Sequence, residues 1–255
     1  MKSAKRINRG RSHSYELDGE QVISVTKAIG EGYPKPGLVG WAADEGAKLV
    51  LNRWPELLEL DPADRYKLVR DARFATQRAA TVRGTKVHEL AQRLQAGEEV
   101  EVVEEYVGHV DAYLDFVEQW RPRELLVEAP VFSRELRYAG TLDLIADLAD
   151  GHRWLLDWKT SKGEPWPEAA LQLAAYRFAD FALVDGDEVL LADYRIERCG
   201  IVWLRADGYD LIEIEADEEA MIAFRAAKHI ANFRATPRDR WVGAMLEPPV
   251  FEAGV

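Results

Sequence analysis

The sequence predicts an α+β protein: a mixed central sheet flanked by helices in an α/β/α sandwich, with a helical N-terminal part. Three observations predict this class. Apolar residues recur at helical spacing through residues 38–120. Three apolar runs of strand length follow within residues 124–160. The rest of the chain reads as a helix, two strands and a last helix, an order typical of helices packed on a mixed sheet.

The composition is that of a folded protein. The chain has 255 residues, of which 47% are apolar and 31% charged, and a chain of this length can bury roughly 70–75% of its unfolded surface. Its single cysteine, Cys199, excludes an intramolecular disulfide, a cysteine-rich zinc site and a four-cysteine iron–sulfur cluster. No apolar run approaches the ~18 residues of a membrane span, and the basic N-terminus lacks the apolar stretch of a signal peptide. We therefore expect a soluble, cytoplasmic protein that does not engage membranes.

The chain is expected to open with a hairpin and a helix. Residues 14–26 alternate in polarity around Asp18-Gly19, and this dipeptide is a strong signal for a tight hairpin turn. A helix is predicted over residues 38–53 from its apolar spacing. Because proline lacks an N–H and clashes with the preceding turn, Pro55 is expected to stop this helix.

Two further helices are expected before the strands. Asp61 followed by a proline is typical of a helix start, and the helical pattern then continues to about Gln95. Gly84 is a candidate break in it, and Gly97 a candidate end. Another helix is predicted over residues 103–120.

The second half is expected to hold the sheet. The predicted elements are strands at 124–134, 138–148 and 152–160, a helix at 167–183, strands at 199–205 and 209–215, and a helix at 216–233. A three-residue loop that ends in Gly151 would join the second and third strands, since glycine favours the left-handed position of such loops. In that register Asp143 faces Asp157 on one side of the sheet, and Lys159 points the same way. Two facing carboxylates repel each other, so a hard divalent cation such as Mg²⁺ or Mn²⁺ would stabilise this patch.

The charge is distributed unevenly along the chain. The formal net charge is −12, yet residues 65–93 hold eight basic and two acidic side chains. The basic ones are Arg65, Lys67, Arg70, Arg73, Arg78, Arg83, Lys86 and Arg93. A basic helix is often only a solvated face, but it also suits contact with phosphates.

Three more polar residues lie at informative positions. Gln172 and Tyr176 are four residues apart, so they share one face of the predicted helix. His88 follows Gly84 within the basic stretch. A lone histidine is usually a packed or exposed residue, so His88 gains interest only through its surroundings.

Taken in order, these residues resemble a known pattern. The motifs are Gly84-Thr85-x-x-His88, Gly140-Thr141-Leu142-Asp143, Asp157-Trp158-Lys159-Thr160 and Gln172-x-x-x-Tyr176. Each motif is weak alone, but the ordered set resembles the RecB-like nucleases of the PD-(D/E)XK superfamily. The resemblance covers residues 84–180 and implies a restriction-endonuclease-like core. The opening hairpin also resembles that of phage-encoded and CRISPR-adaptation-type members.

The resemblance implies roles for individual residues. His88, Asp143, Asp157 and the backbone carbonyl of Trp158 would ligate the metal, and Lys159 would orient the attacking water and stabilise charge on the phosphate. Gln172 and Tyr176 would shape the site and touch DNA. Glu128 on the first strand would support a second ion. The basic residues Arg70, Arg73, Arg78, Arg83 and Lys86 would then follow the DNA backbone.

One difference from these relatives indicates which branch of the superfamily the chain resembles. Many CRISPR-adaptation-type relatives carry four cysteines for an iron–sulfur cluster, which this chain cannot build. The resemblance therefore favours the cluster-free phage recombination exonucleases, with those of the lambda type as distant relatives. It implies a Mg²⁺- or Mn²⁺-dependent deoxyribonuclease that acts on DNA in the bacterial cytoplasm, with a phage single-strand annealing or single-strand-binding protein as its partner.

Other functions fit the same residues. A structure-specific endonuclease is one alternative, and a non-catalytic DNA-binding protein is another. A third is an interaction protein that uses the acidic segments 98–118 and 185–219. In each case we expect a single domain, 1–255, with a hairpin and helical DNA-binding part at 1–122, a catalytic core at 123–235 and a C-terminal tail at 236–255.

Overall fold

The computed structural model describes residues 3–9, 12–35, 37–95, 97–161 and 163–246. Within these ranges it leaves out the side chains of residues 9, 12, 76, 77, 79–81, 83, 88, 91, 92 and 95. The described chain forms a mixed sheet flanked by helices, so the α+β prediction is confirmed.

The helices and strands follow one another as the sequence order predicted, with three additional strands and one additional helix. The strands are β1 (Ala4–Arg9), β2 (Ser12–Leu17), β3 (Glu20–Ser24), β4 (Arg123–Ser133), β5 (Tyr138–Asp147), β6 (Arg153–Lys159), β7 (Phe181–Val184), β8 (Asp187–Leu190), β9 (Arg198–Arg205) and β10 (Gly208–Glu213). The helices are α1 (Val25–Gly32), α2 (Gly37–Glu59), α3 (Pro62–Gln95), α4 (Glu104–Trp120), α5 (Glu168–Arg177) and α6 (Glu218–Ala235). The additional elements are β1, β7, β8 and α1. Short 3₁₀ turns occur at Leu191–Tyr194 and Arg238–Arg240.

The N-terminal hairpin has the predicted turn. Asp18 and Gly19 both have positive φ, 53° and 85°, which is the backbone of the two-residue turns that match strand twist. They join β2 to β3. The additional strand β1, which the polarity pattern did not predict, pairs antiparallel with β2. The helix after the hairpin starts where the Ser24 hydroxyl accepts the Lys27 N–H at 3.2 Å.

Helix α2 consists of two helical segments joined by a kink at Arg53, so the chain leaves helical geometry just before Pro55, at the predicted end of the helix at 38–53. The backbone leaves helical geometry only at Arg53 (φ −129°, ψ 26°), and the helix then continues to Glu59. Proline removes one hydrogen bond and disfavours helical geometry just before it, which is enough for a kink when the following turn can form again. Helix α3 passes through Gly84 unbroken, and Gly97 (φ 76°) follows its end as predicted.

The central sheet runs in the order β10, β9, β6, β5, β4, β7, β8. Strands β6 and β9 are parallel, as are β3 and β5, while the other neighbouring strands are antiparallel. Strand β3 pairs with the first residues of β5, Tyr138 and Ala139, and so connects the N-terminal hairpin to the sheet.

The helix predicted at 167–183 is shorter than expected. Helix α5 ends at Arg177, and the chain continues as the β7–β8 hairpin, whose turn at Asp185-Gly186 has positive φ at both residues. Phe181 and Ala182 pair with the edge of β4 that does not pair with β5. The apolar pattern of these residues fits a helix as well as a strand, and pairing with β4 stabilises the strand.

Helices cover both faces of the sheet. Helices α1, α5 and α6 pack on one face, where Leu142, Leu155 and Phe224 are fully buried. On the other face, Phe116 of α4 and Val87 of α3 pack against the sheet in a second apolar cluster. Among the described helices, none combines the length and apolar character needed to cross a membrane.

Candidate active site

The hairpin of β5 and β6 has the predicted register. Leu144 pairs with Leu156 and Ile145 with Leu155, and Gly151 takes the left-handed position of the connecting loop (φ 85°). The next positions in this register are Asp143 and Asp157. There the ladder between the two strands ends, while β6 continues alongside β9 to Lys159. The two aspartates therefore lie where the strands begin to separate.

This separation leaves a gap along one edge of β5. On that edge β3 pairs with residues 138–139 and β6 with residues 144–147. Residues 140–143, here called the β5 gap, have no strand partner on this edge among the described strands. Pairing with β4 on the opposite edge holds this part of β5 in place. The gap leaves a short stretch of β5 without a strand partner on one edge, within the described part of the sheet.

Hydrogen bonds hold both carboxylates at the gap. Asp143 Oδ2 accepts a hydrogen bond from the backbone N–H of Trp158 at 2.9 Å. This carboxylate takes the place of the backbone carbonyl that would accept the hydrogen bond if the pairing of the two strands continued. Asp157 is 2% exposed, and its Oδ1 accepts a hydrogen bond from Gln172 Nε2 at 2.6 Å. The Lys159 ammonium lies 2.5 Å from Asp157 Oδ2. The two acids and the lysine thus come together as the register predicted.

The charge of Lys159 is stabilised by its neighbours. Burial alone would lower the pKa of its ammonium, but attraction and hydrogen bonding to Asp157, with further attraction from Asp143 and Glu168, raise that pKa above its ordinary value. Lys159 therefore stays protonated at neutral pH. It also donates to Gln172 Oε1 at 3.4 Å, so the amide of Gln172 contacts both the lysine and the acid.

Helix α5 brings Gln172 and Tyr176 to the same place. Gln172 Nε2 lies 3.4 Å from the Tyr176 hydroxyl, and α5 is tied to β5 by the Tyr138 hydroxyl, which donates to the Ala175 carbonyl at 2.7 Å. A Cβ at Gly140 would lie 2.5 Å from the Tyr176 ring, so only glycine allows this approach. Burial, with Asp157 and Asp143 nearby, raises the pKa of the Tyr176 phenol well above its ordinary value, which keeps it neutral.

A cavity of about 280 Å³ opens over the gap. We call it the central cavity. It is lined by Arg6, His13, Tyr15, Ser24, Thr26, Glu128, Gly140, Thr141, Asp143, Asp157, Trp158, Lys159, Gln172 and Tyr176. The lining therefore gathers three carboxylates and two cationic side chains in one small space.

Glu128 reaches this cavity through an unusual backbone conformation. Its φ is 47°, although it lies between Val127 and Ala129, which pair regularly with β5. A non-glycine residue in the left-handed region costs on the order of 1–3 kcal/mol, and such strain is found preferentially at functional sites. The structure thus places Glu128 with the two aspartates in the cavity lining, where the resemblance had put an additional acid.

The N-terminal hairpin supplies residues that the sequence did not single out. Arg6 and His13 line the central cavity, and the Tyr15 hydroxyl lies 2.8 Å from Thr141 Oγ1 in the β5 gap. Burial and the nearby Arg6 lower the pKa of His13, with Glu128 acting in the opposite direction. The sequence shows that residues 1–13 are basic, but it does not predict that they reach the site.

Two of the expected residues, His88 and Arg83, have side chains outside the described part of the structure. Their backbone lies in helix α3, which approaches the site closely: a Cβ at Gly84 would lie 3.3 Å from Thr160 Oγ1, one residue beyond Lys159. The first motif is therefore next to the strand that carries Asp157.

The other basic residues of α3 lie on its exposed surface. Arg70 forms two hydrogen bonds to Asp71, Arg73 lies over the Phe74 ring at 4.6 Å, and Arg78 and Lys86 are also exposed. None of these four is among the residues that line the central cavity. Arg65 differs, because its guanidinium donates to the carbonyls of Leu57 and Leu60 and so satisfies the end of α2.

The donor set at the gap suits a hard divalent cation. Asp143, Asp157 and the carbonyl of Trp158 offer oxygen ligands, which Mg²⁺ and Mn²⁺ prefer. Asp157 Oδ2 is buried, and the Lys159 ammonium lies 2.5 Å from it. Among the described side chains, no three His, Cys, Asp or Glu residues form a preassembled metal cluster. The residues present fit a divalent cation held by two carboxylates, with open positions for other ligands.

Comparisons with known proteins agree with this arrangement. Residues 60–184, which contain α3 to β7, match the sequence model of the PD-(D/E)XK nuclease superfamily. A solved structure described as "Crystal structure of SSO0001" is 17% identical, with a TM-score of 0.32; the match covers 53% of this chain and 62% of that chain, less than two thirds of its length. No curated protein matches the chain. The helix-flanked mixed sheet is consistent with the expected restriction-endonuclease-like fold. Residues 60–184 thus carry the sequence pattern of the PD-(D/E)XK nuclease superfamily.

Proposed function

We propose that this protein is a metal-dependent DNA exonuclease. The observation that carries the proposal is the convergence of Asp143, Asp157 and Lys159 at the β5 gap, beside the central cavity. The match to the superfamily model supports nuclease chemistry in general. The choice of an exonuclease, and of the RecB-like branch, rests on the sequence resemblance.

The site residues suit hydrolysis of a phosphodiester. A water attacks phosphorus and its proton leaves to a base or solvent. The P–O3′ bond breaks, and the leaving 3′ oxygen takes a proton from solvent, which gives 5′-phosphate and 3′-hydroxyl ends. Bound at Asp143 and Asp157, Mg²⁺ or Mn²⁺ would acidify water and neutralise phosphate charge. The Lys159 ammonium orients the water and stabilises charge that develops on the phosphate. Gln172 fixes the orientation of both Asp157 and Lys159.

The exposed basic face of α3 supplies a second part of the proposal. Arg70, Arg73 and Arg78 lie on the helix whose Gly84 packs beside Thr160. Contacts of these side chains with successive phosphates would guide the DNA backbone toward the central cavity. We propose a division of labour in which residues 1–122 bind DNA and residues 123–235 cleave it, with 236–255 as a tail.

The biological setting belongs to the same proposal. We infer a role in phage recombination or DNA end processing in the bacterial cytoplasm, together with a single-strand annealing or single-strand-binding protein. A structure-specific endonuclease and a non-catalytic DNA-binding protein are the alternatives that the experiment must separate.

The deciding experiment compares end-labelled linear DNA with closed circular DNA in Mn²⁺, Mg²⁺ or EDTA. We expect digestion of the linear form only, in either metal, and none in EDTA. Asp143→Asn is the matched inactive control, because its amide oxygen can still accept the Trp158 N–H. Nicking of circles would indicate the endonuclease. Binding without cleavage in both metals would indicate the non-catalytic protein.

A further inference from the structure

A second cavity adjoins the catalytic lysine on the side away from the N-terminal hairpin. It has a volume of about 280 Å³ and is lined by Thr26, Ile29, Lys35, Lys159, Ser161, Glu164, Pro165, Trp166, Glu168, Ala169 and Gln172. We call it the Trp166 cavity. It shares Thr26, Lys159 and Gln172 with the central cavity, so a ligand whose phosphate lies at the active site can extend into this space.

Trp166 gives the cavity a fixed aromatic surface. Its side chain is 51% exposed, yet the ring rests against the start of α2: a Cβ at Gly37 would lie 2.8 Å from Trp166 Cη2. The Trp166 carbonyl accepts the Ala169 N–H at 2.9 Å, which ties this residue to the first turn of α5. Trp203 Nε1 donates to the Ser161 carbonyl at 2.8 Å and holds the beginning of the same loop. The indole is therefore positioned before any ligand binds.

The rest of the lining is chemically mixed. Ile29, Pro165 and Ala169 add apolar surface. Lys35 and Glu168 form an ion pair at 2.7 Å. The cavity thus combines an aromatic plane and apolar contacts with an ammonium group and a carboxylate. A planar heteroaromatic group with amino substituents, attached to a phosphate, satisfies all of these features.

We propose that the Trp166 cavity binds one unstacked nucleobase of the DNA substrate, next to the phosphate that is cleaved. This inference rests on the proposed function, because it takes DNA as the substrate. Pockets for drug-sized ligands span about 300–1,000 Å³, so a space of this size suits a single base. Every base has a face that can stack on an indole, so the cavity selects unpaired DNA rather than a sequence. The substrate is then a single-stranded or frayed end.

The test combines a protein variant with a missing base. Binding of a single-stranded oligonucleotide is measured by fluorescence anisotropy in EDTA, and its cleavage in Mn²⁺, while one abasic position is moved along the strand. In the wild type we expect weaker binding and slower cleavage when the abasic position coincides with the base in the cavity. Trp166→Ala should weaken binding of intact DNA about 5- to 150-fold, with no additional loss at that abasic position.

Matched variants keep the test independent of folding. Trp241→Ala removes a tryptophan of similar exposure, 50%, which lines neither cavity, and should bind as the wild type does. Trp166→Phe retains an aromatic face and should bind nearly as well. Gly37→Ala should weaken binding, because the added methyl displaces the indole ring.

Each outcome has a distinct meaning. Equal losses from every abasic position in the wild type and in Trp166→Ala would overturn the base-binding inference, even if the oligonucleotide is cut. A wild-type protein that neither binds nor cuts intact DNA would instead overturn the proposed function.

Discussion

Lys159 has two roles in the proposed active site. Its ammonium neutralises the buried Asp157 and, in the proposed reaction, stabilises the attacked phosphate. A protonated ammonium has no lone pair to offer a metal, so it contributes to the reaction without being a ligand. Its position on β6, two residues after Asp157, follows directly from strand alternation.

We expect Lys159→Ala to reduce cleavage by about 10²–10⁴-fold, the typical contribution of a positioned proton-transfer group, with nearly unchanged affinity for DNA and Mn²⁺. Mn²⁺ should raise the Tm of this variant about as much as that of the wild type, because stabilisation by a bound ion depends on its affinity for the folded protein. Single-turnover cleavage, DNA binding and thermal unfolding measure the three quantities.

Two further variants make this result specific. Lys159→Arg should restore cleavage only partly, because a planar guanidinium cannot occupy the place of a compact ammonium. Lys48→Ala is the control, since this lysine also pairs with an acid, Glu45 at 2.9 Å, but lies on α2 outside both cavities. Wild-type cleavage by Lys159→Ala would exclude the proposed role.

At the scale of elements, an ion-pair network joins three strands at the other end of the β5–β6 hairpin. Asp147 of β5 pairs with Arg153 of β6 at 2.7 Å and also with Arg123 of β4. Arg153 in turn donates to the Tyr194 carbonyl at 2.7 Å. The network helps to keep β4, β5 and β6 together, so the strands can separate at the aspartates without the sheet opening.

The hydrogen bond from Arg153 is the largest of the effects that lower the pKa of Asp147, and Arg123 adds to it against the opposing effect of burial. A carboxylate whose folded pKa is lowered stabilises the protein above its unfolded pKa, near pH 4, and loses this contribution as the pH falls through the folded value. We expect Asp147→Asn to lower the free energy of unfolding by about 1 kcal/mol at pH 6, and by less at pH 3.

Urea denaturation at both pH values measures this difference, and cleavage at neutral pH should be retained. Asp111→Asn, at an exposed position of α4, should change the free energy of unfolding little at either pH. An equal loss for Asp147→Asn at pH 6 and pH 3 would mean that the network stabilises the sheet by packing rather than by charge.

At the scale of the whole molecule, basic and acidic residues are concentrated in different segments of the chain. The chain carries a net charge of −12, but the exposed basic residues of α3 form a local positive surface. Because salt screens charges beyond a Debye length of about 8–10 Å, DNA on this surface responds to the nearby arginines more than to the distant acids. Three of them already pair with an acid: Arg70 with Asp71, Lys86 with Glu89 and Arg93 with Glu98.

Reversal of charge at Arg70, Arg73 and Arg78 should therefore weaken duplex binding strongly. The slope of log affinity against log salt should decrease in magnitude by about 0.9 for each phosphate that the variant no longer neutralises. The matched control reverses Arg225, Arg238 and Arg240, three exposed residues near the C-terminus, and should leave the slope unchanged. Equal slopes in the wild type and the α3 variant would mean that this basic face is only solvated.

The sequence by itself determined the parts of this protein that depend on local rules. Strand alternation and a glycine-ended loop predicted the hairpin register, and with it the meeting of Asp143, Asp157 and Lys159. A tight-turn signal predicted the first hairpin, and helical spacing predicted α3 and its end at Gly97.

The tertiary structure alone decided what depends on contacts between distant segments. The β5 gap exists because β3 and β6 pair with different parts of one edge. Arg6 and His13 reach the cavity because Tyr15 meets Thr141, 126 residues along the chain. The end of α5 is set by pairing of Phe181 with β4. These outcomes depend on pairing and packing between segments far apart in sequence, which a period of 2 or 3.6 residues does not encode.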